Sequence, residues 1–550
     1  MMDPVGALGD QGWLTSATWL LVALGVGWLL VSSLRRYGRS SRPRLVDAAS
    51  VTGGLVALAL GFAGVSLAAG GTVPFVGNAH PAAAQPASAP LAQSDGQVRQ
   101  FQLTVGRTQW ELAPGKVVDA YTYNGQVPGP ELRVTEGDTV RVTVKNELDE
   151  PTTVHWHGVD VPAAMDGVPD TSGPPIAPGG TFTYEFVATP TGTRWYHAHF
   201  DEMNQQGGGL TGALVIEPRD PTAMKPDREY TLLTGEWVTV AGNQAPAAPT
   251  PSAAGGMGGM PGNGIGGGMM GDSGGMSSAS AGPPFDTFTL NGKAYPSAAP
   301  LVVRQGQRVR LRLINANATN TQVFALAGHR LTVTHSDGNP LASPVDVDAV
   351  PLGVGERADV EFAADNPGRW KLEAFLPALS YRDQMVDLTD VVYEGHESDA
   401  ARDFPADASI RIARYADFTG PPHPAAPDRT YELTLSGGMM MMGMGSDAWT
   451  INGRSYPDTP PIDVKVGQRI RLRLFNMSME DHPMHLHGHT FQVVAVNGRS
   501  VDGPLKDTIT LGHMEQYDIE FVANNPGTWL FHCHNLVHMM GGLMAQVRYS

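Results

Sequence analysis

One segment of the sequence occurs three times, and this repetition limits the possible folds more than any other feature. The copies are "YTYNGQVPGPELRVTEGDTVRVTVKN" from Tyr121, "FTLNGKAYPSAAPLVVRQGQRVRLRLIN" from Phe288 and "WTINGRSYPDTPPIDVKVGQRIRLRLFN" from Trp449. Each copy has an Asn-Gly pair after a short strand, a Gly-led turn, and a stretch that alternates branched apolar and polar residues. Asn-Gly favours a tight hairpin turn, and the alternation predicts a strand with one buried face. The sequence therefore predicts an all-β chain of three β-sandwich domains.

The ends of the three copies also match, and they differ in the residues that could carry chemistry. The closing stretches are "TGTRWYHAHF", "NPGRWKLEAF" and "NPGTWLFHCH". Their alignment sets His197 and His199 against His532 and His534. The middle copy lacks these residues: Glu373, Ala374 and Phe375 stand opposite His532, Cys533 and His534, and Gln322, Ala325 and Ala327 stand opposite His482, His485 and His487. Since the fold forms without them, these histidines are not there to fill a core.

Histidine is concentrated in four short segments of the first and third copies. These segments are "HWHG" at His155 and His157, "HAH" at His197 and His199, "HPMHLHGH" from His482 and "HCHNLVH" from His532. Residues two apart in a strand share a face, so each His-x-His pair directs two imidazoles to one point. Four such pairs in register with an internal repeat predict metal sites.

Cys533 is the only cysteine of the chain, and it lies between two of these histidines. Strand alternation sends His532 and His534 to one side and the sulfur to the other, so Cys533 must serve a different metal. A thiolate with two imidazoles forms the blue-copper site of single-electron transfer, and His482 and His538 supply those imidazoles. An electron accepted at the sulfur would then have a short bonded path to the neighbouring histidines.

Eight imidazoles remain after His482 and His538 are assigned, and their number suits three coppers that share one oxygen species. Four come from the first domain and four from the third, so the cluster should lie between these domains. The eight are His155, His157, His197, His199, His485, His487, His532 and His534.

The four segments resemble the copper-binding motifs of the multicopper oxidases, over roughly residues 98–550. This resemblance implies three cupredoxin-like Greek-key domains and four copper ions. It implies a type 1 copper at His482, Cys533 and His538 and a type 2 copper at His155 and His485. The binuclear type 3 pair would be held by His157, His197, His199, His487, His532 and His534. The family oxidises a substrate one electron at a time at type 1 and reduces dioxygen to two waters at the cluster.

Three positions bear on how closely the chain follows the family. Leu543 stands where members often have an axial methionine, and Met544 follows it. A noncoordinating Leu543 would leave the copper trigonal, whereas a shift of one residue would bring in Met544 as ligand. Met539 stands where several bacterial relatives carry an acid that feeds protons to oxygen. Asp166 matches a family acid beside the cluster and is the candidate proton relay, although an ordinary loop aspartate is the alternative.

Methionine-rich stretches bear on the substrate. They lie at Met439, Met440, Met441, Met442 and Met444, in the linker at Met257, Met260, Met269, Met270 and Met276, and near the histidines at Met477, Met479, Met484, Met539 and Met540. Thioethers suit Cu(I), and similar insertions occur in copper-resistance members of the family, so we expect a cuprous or phenolic electron donor. A flexible low-complexity loop is the alternative reading. Glu480 and Asp481 could dock a cationic or phenolic donor, or could be solvated surface acids.

Two other functions compete with an oxidase. A copper storage or delivery protein would bind metal without consuming oxygen, and it leaves the His-Cys-His arrangement unexplained. A cupredoxin-type nitrite reductase would need only one histidine in each additional ligand segment. Lys and Arg number 37 against 54 Asp and Glu, a net charge of -17 that argues against nucleic acid as a partner.

The N-terminus predicts a membrane protein. Residues 11–34 and 48–69 are two uncharged runs long enough to span a bilayer, and five arginines between them should stay cytoplasmic. The catalytic domains would then lie on the extracytoplasmic side of the cell membrane. Alternatively, Arg35 and Arg36 begin a cleaved twin-arginine signal, and the protein is secreted. The predicted division is a membrane segment over residues 1–70, a linker over 71–97, a first domain over 98–220, a flexible linker over 241–285, a second domain over 286–400 and a third over 428–550.

Overall fold

A computed structural model describes most of the chain beyond the N-terminal segment. It covers residues 96–169, 171–220, 225–239, 285–375, 385–405, 410–423, 426–438 and 448–550. No helix within these ranges is long and apolar enough to cross a membrane. Both predicted membrane spans, the linker methionines and the methionine run at 439–444 lie outside the described residues.

The described residues form three pairs of β-sheets, one pair for each sequence repeat. The strands of the first domain are β1 (Val98–Ala113), β2 (Lys116–Tyr123), β3 (Gly129–Thr135), β4 (Thr139–Asn146), β5 (His155–His157), β6 (Thr181–Val187), β7 (Gly192–His197) and β8 (Thr211–Glu217). One sheet has the order β2-β1-β4-β6 and the other β3-β8-β7-β5. Because the chain switches between the sheets several times, the arrangement is typical of a Greek-key sandwich.

The second and third domains repeat this plan. The strands of the second are β9 (Arg228–Trp237), β10 (Thr287–Leu290), β11 (Leu301–Val303), β12 (Arg308–Asn315), β13 (Gln322–Leu326), β14 (Leu331–Ser336), β15 (Asn339–Val347), β16 (Ala349–Leu352), β17 (Arg357–Ala363), β18 (Arg369–Phe375) and β19 (Met385–Tyr393). Those of the third are β20 (Arg429–Ser436), β21 (Thr450–Ile451), β22 (Ile462–Val464), β23 (Arg469–Asn476), β24 (His482–Leu486), β25 (Phe491–Val496), β26 (Arg499–Ser500), β27 (Leu505–Lys506), β28 (Thr508–Leu511), β29 (Gln516–Val522), β30 (Thr528–Cys533) and β31 (Met544–Tyr549). Among the described residues two short α-helices accompany the strands, α1 (Glu202–Gln205) and α2 (Leu536–Met540), together with 3-10 turns at Ala163–Met165 and Tyr415–Asp417.

The second domain begins earlier than the sequence predicted. Strand β9 precedes the 241–285 segment, yet it pairs with β10 and β12 in a sheet of the second domain. Residues 241–285 therefore lie within the second domain in sequence rather than between two domains. The boundary was misplaced because β9 lies before the Asn-Gly motif that marked the start of each repeat.

Strand register confirms the alignment of the three copies. His155 pairs with His197 in the first domain and His485 with His532 in the third. Ala325 pairs with Glu373 at the equivalent point of the second domain. The Asn-Gly turns form as expected, with positive φ at both residues of all three pairs, Asn124-Gly125, Asn291-Gly292 and Asn452-Gly453.

Alternating burial along the strands explains why these segments form sandwiches. In β23 every second residue is buried, which places Ile470, Leu472 and Leu474 in the core. The apolar cores of the first and third domains join into one cluster, while the second domain has its own. Gly488 ends the third domain's histidine segment at φ +63°, where a Cβ would stand 2.4 Å from the Trp529 ring. Only glycine allows the chain to turn there.

Candidate metal centres

Two groups of buried metal-binding side chains lie back to back on strand β30. Cys533 pairs with Met484 across the ladder and contacts His482 and His538 on one side. His532, one residue earlier, pairs with His485 and faces the opposite side. The separation of Cys533 from its histidine neighbours, predicted from strand alternation, is confirmed.

The first group is a compact triangle of three donors. The Cys533 Sγ lies 3.7 Å from the Nδ1 of His482 and 3.6 Å from the Nδ1 of His538, and the two nitrogens are 3.0 Å apart. A point equidistant from three such atoms lies about 2 Å from each, close to the usual length of a metal–imidazole or metal–thiolate bond. The predicted thiolate and imidazole pair therefore fits one metal ion.

Each imidazole of this triangle is held through its outer nitrogen. The Nε2 of His482 lies 2.7 Å from the Ser478 hydroxyl, and that of His538 lies 2.9 Å from a carboxylate oxygen of Glu480. The Trp449 ring lies against the His538 ring at a centroid distance of 3.9 Å. Partners of this kind fix the tautomer and orientation of metal-binding histidines, here with both Nδ1 atoms toward the centre.

The protonation chemistry of this group also favours a metal. Burial, with the negative charges of Glu480 and Asp481, raises the pKa of the Cys533 thiol far above its ordinary value. Burial lowers the pKa of His482 and of His538, so both imidazoles are neutral. Only a bound cation would hold a thiolate in such surroundings.

Leu543 and Met544, the two candidate axial residues, pack in different apolar clusters. Leu543 is fully buried in the same apolar cluster as Cys533. Met544 starts β31, pairs in register with His532, and packs against a separate cluster formed by Met203, Ala318, Leu536 and Met539. Leu543 is thus buried in the core that contains Cys533, Met544 packs against another cluster, and Leu543 as a noncoordinating axial residue stays a prediction.

The second group brings together all eight remaining predicted histidines. They form overlapping sets whose nitrogens lie within 4.8 Å of one another, including His155 with His157 and His485, His157 with His197 and His534, and His199 with His487 and His532. Rings from the first and third domains contact each other directly: His157 and His485 are stacked with centroids 3.7 Å apart, and His155 and His487 are tilted with centroids 4.0 Å apart. We call these eight side chains the histidine cage. Its predicted position between the outer domains is confirmed.

The inner nitrogens of the histidine cage have no protein partner in the described part of the chain. This holds for the Nε2 of His155, His197, His199 and His485, the Nδ1 of His157 and both ring nitrogens of His534. The Nε2 atoms of His487 and His532 face each other at 2.9 Å. Leaving one buried polar atom unpaired costs about 1–3 kcal/mol. So many together are explained by metal ions that bind these nitrogens.

Six of the eight cage histidines are also kept neutral by their surroundings. Burial and repulsion from neighbouring imidazoles lower the pKa of His157, His197, His485, His487 and His534, and lower the pKa of His532 to about 3. Neutral imidazole is the form that binds metal.

Asp166 lies at the cage, where the sequence placed it. The Nδ1 of His155 donates to the Asp166 main-chain oxygen at 2.9 Å, and the Nδ1 of His487 lies 2.9 Å from its Oδ2. Burial alone would raise the pKa of this carboxyl, but attraction to His487 and His155 outweighs burial and lowers it. Asp166 therefore orients one cage histidine from each outer domain.

Two further acids at the cage were missed by sequence reasoning. Glu202, in α1, lies 2.8 Å from the Nδ1 of His199. Asp507, fully buried before β28, lies 3.1 Å from the Nε2 of His157, and its main-chain oxygen is 2.9 Å from the Nδ1 of His485. Glu202 follows His199 by three residues and could have been found from that spacing, whereas Asp507 has no local signal.

Comparison with known proteins places the chain among proteins with such sites. Three family models described as multicopper oxidase match residues 104–221, 269–386 and 428–550. The chain is 34% identical to multicopper oxidase MmcO of Mycobacterium tuberculosis over 79% of this chain and 84% of that protein. It is 28% identical to copper resistance protein A of Escherichia coli, over 84% and 94% of the two chains.

Solved structures agree with the sequence comparisons. A crystal structure of a multi-copper oxidase from Pseudomonas thermotolerans matches with a TM-score of 0.62 and 29% identity, over 83% of this chain and all of the other. The relationship covers both donor groups, and their arrangement suits the electron transfer and oxygen reduction of these enzymes. The chain belongs to the multicopper oxidase family.

Proposed function

We propose that this multicopper oxidase oxidises Cu(I) and transfers the electrons to dioxygen. The type 1 copper would be held by His482, Cys533 and His538, and the type 2 copper by His155 and His485. The type 3 pair would be held by His157, His197, His199, His487, His532 and His534. When bound, these four coppers supply the one-electron steps of the reaction.

Strand β30 provides the path between the two groups. The backbone of Cys533 is bonded directly to both His532 and His534. The Nδ1 of His532 also donates to the Cys533 carbonyl oxygen at 2.9 Å. Electrons that enter at the sulfur would thus have a continuous bonded path along the backbone to the histidine cage, and a second path through the hydrogen bond from His532.

The exposed methionines beside the type 1 group support Cu(I) as the electron donor. Met477 and Met479, on either side of Ser478, are 56% and 78% exposed. Met540, two residues after His538, is 41% exposed, and Met514 is 57% exposed with its backbone hydrogen-bonded to that of Asn476. We call these four side chains the methionine patch. Because thioethers are soft ligands, the methionine patch suits a monovalent copper ion.

Glu480 follows Met479 in the chain and contacts the type 1 group. Its side chain is 38% exposed and lies 2.9 Å from the Nε2 of His538. A cation held at this carboxylate would be one imidazole away from the type 1 centre, and the net charge of -17 draws cations toward the protein. The same carboxylate could accept the proton of a phenol as it is oxidised, so phenols are the second candidate substrates.

Replacing Met477 and Met479 together by leucine should lower kcat/KM for Cu(I) about tenfold, equivalent to about 1.4 kcal/mol. Leucine keeps the apolar bulk and removes only the sulfur. Deletion of Met439–Met444 is expected to lower the Cu(I) rate further. Oxygen uptake is measured with Cu(I) and, as the control, with a simple phenol, whose rate should not change. An unchanged Cu(I) rate in both variants would remove the main support for a cuprous substrate.

We also propose that the catalytic domains lie on the extracytoplasmic side of the cell membrane. The two uncharged runs within residues 1–70 and the arginines between them support this proposal. In a cell fractionation the full chain should stay with the membrane, and a chain that begins at residue 71 should not. If expression of the full chain yields only a shortened protein that is secreted, a cleaved signal is favoured instead.

A further inference from the structure

The middle domain, which has no histidine at the cage, reaches it through Arg357. This arginine starts β17 and is fully buried. Each of its three guanidinium nitrogens donates at least one hydrogen bond. Its Nη1 and Nη2 each donate to one oxygen of Asp507 at 2.6 Å. Its other bonds go to the carbonyl oxygens of Thr193 (3.2 Å), Gly355 (3.0 Å) and Asp337 (3.1 Å). One side chain therefore contacts all three domains.

Asp507 connects Arg357 to the histidine cage. Its Oδ1 lies 3.1 Å from the Nε2 of His157, and its main-chain oxygen accepts from the Nδ1 of His485 at 2.9 Å. The hydroxyl of the next residue, Thr508, lies 3.0 Å from His157 and 3.1 Å from His485. The orientation of these two stacked imidazoles therefore depends on where Asp507 is held.

The turn before Arg357 also packs against the histidine cage. Gly355 has φ +87°, and a Cβ there would lie 3.0 Å from the His534 ring and 3.1 Å from the His157 ring. The middle domain thus lies directly against two cage histidines. A side chain at this position would push into them.

A second buried charge of the middle domain fixes the same segment. Asp337 is fully buried, and its Oδ2 lies 3.1 Å from the Thr508 amide and 3.1 Å from the ammonium group of Lys506. Glu356 lies 3.0 Å from the same ammonium group. The segment that carries Asp507 and Thr508 is thereby held on both sides by groups of the middle domain.

We infer that Arg357 is a positioning residue for the histidine cage, through which the domain without copper ligands fixes the orientation of His157 and His485. A buried carboxylate needs its charged partner, and its position is defined when both oxygens are bound by one planar guanidinium. Without this fork, the only arginine left on the Asp507 carboxylate among the described residues would be Arg194, whose Nη1 lies 3.3 Å from its Oδ2. The carboxylate could then shift, and the outer nitrogen of His157 would lose a fixed acceptor. The inference rests on the proposed ligand roles of the cage histidines.

The test compares Arg357→Lys with Arg312→Lys. Arg312 is an equally buried arginine of the middle domain that bridges Asp359 and Thr193, at 2.9 Å each, and has no contact with a cage histidine among the described residues. Copper per chain is measured after exposure to a competing chelator, together with the visible and EPR spectra. In Arg357→Lys, retention of the trinuclear coppers should weaken about 10–100-fold, the usual effect of removing a partner behind a metal ligand, while the blue type 1 colour is unchanged. Arg312→Lys should keep both.

The inference is wrong if Arg357→Lys keeps all its copper as firmly as the unmodified protein. It is also wrong if type 1 and trinuclear copper are lost together, to the same degree as in Arg312→Lys. If Arg357→Lys cannot be purified, Asp507→Asn tests the same link with a side chain of the same shape. Because copper retention is measured without a substrate, failure of this test is separate from failure of the Cu(I) proposal.

Discussion

Cys533→Ser is expected to abolish both the blue colour and turnover, while the protein still folds. The sulfur is the one donor that the type 1 group cannot replace, since a serine hydroxyl does not form the copper–thiolate bond that gives the colour and accepts the electron. Serine at this buried position leaves a hydroxyl without a partner, at a cost of about 1–3 kcal/mol. The histidine cage lies on the other side of β30 and should keep its three coppers.

Ala198→Ser is the matched control for this variant. Ala198 is the buried residue that aligns with Cys533 in the first domain, between His197 and His199. The substitution adds the same hydroxyl to an equivalent strand without touching the type 1 group. Visible spectra, copper content and oxygen uptake are measured on both variants, and a blue Cys533→Ser protein would show that the thiolate is not the type 1 donor.

Asp166→Asn is expected to slow oxygen reduction about 10–100-fold without slowing electron entry. The amide has no negative charge and cannot take up a proton as a carboxylate does, so it is a poorer partner for the Nδ1 of His487, while the main-chain oxygen that accepts from His155 is unchanged. In a stopped-flow experiment the blue colour should bleach at the normal rate with substrate and return slowly when oxygen is added.

Copper content separates the two roles that Asp166 could have at the cage. Full copper with slow return of the colour would support the predicted proton relay, whereas loss of trinuclear copper would mean that Asp166 mainly orients its histidines. Asp138→Asn serves as the control, because Asp138 is a buried carboxylate of the first domain that pairs with Arg99, outside the cage. Normal return of the colour in Asp166→Asn would rule out both roles.

The fold and the copper ligands could be predicted because their signals are local. Each Asn-Gly turn and each alternating strand, such as β23, lies within a few residues of sequence. The opposite directions of Cys533 and His532 follow from the strand period alone. These rules needed no knowledge of which domains touch.

The support that Arg357 and Asp507 give to the cage could not be predicted because it is not local. Arg357 and Asp507 are 150 residues apart, and Asp507 and His157 are 350 apart. No spacing rule links residues that meet only after three domains have packed together. The orientation of Leu543 and Met544 was undecided for a similar reason, since "GGLM" does not reveal that β31 begins at Met544.

The most direct test of the whole account is copper quantification together with the visible spectrum of the copper-loaded protein. If the Cys533 centre is connected along β30 to the histidine cage between the two outer domains, the protein should hold four copper ions per chain and be intensely blue. A colourless protein, or one that holds far fewer than four coppers, would contradict it.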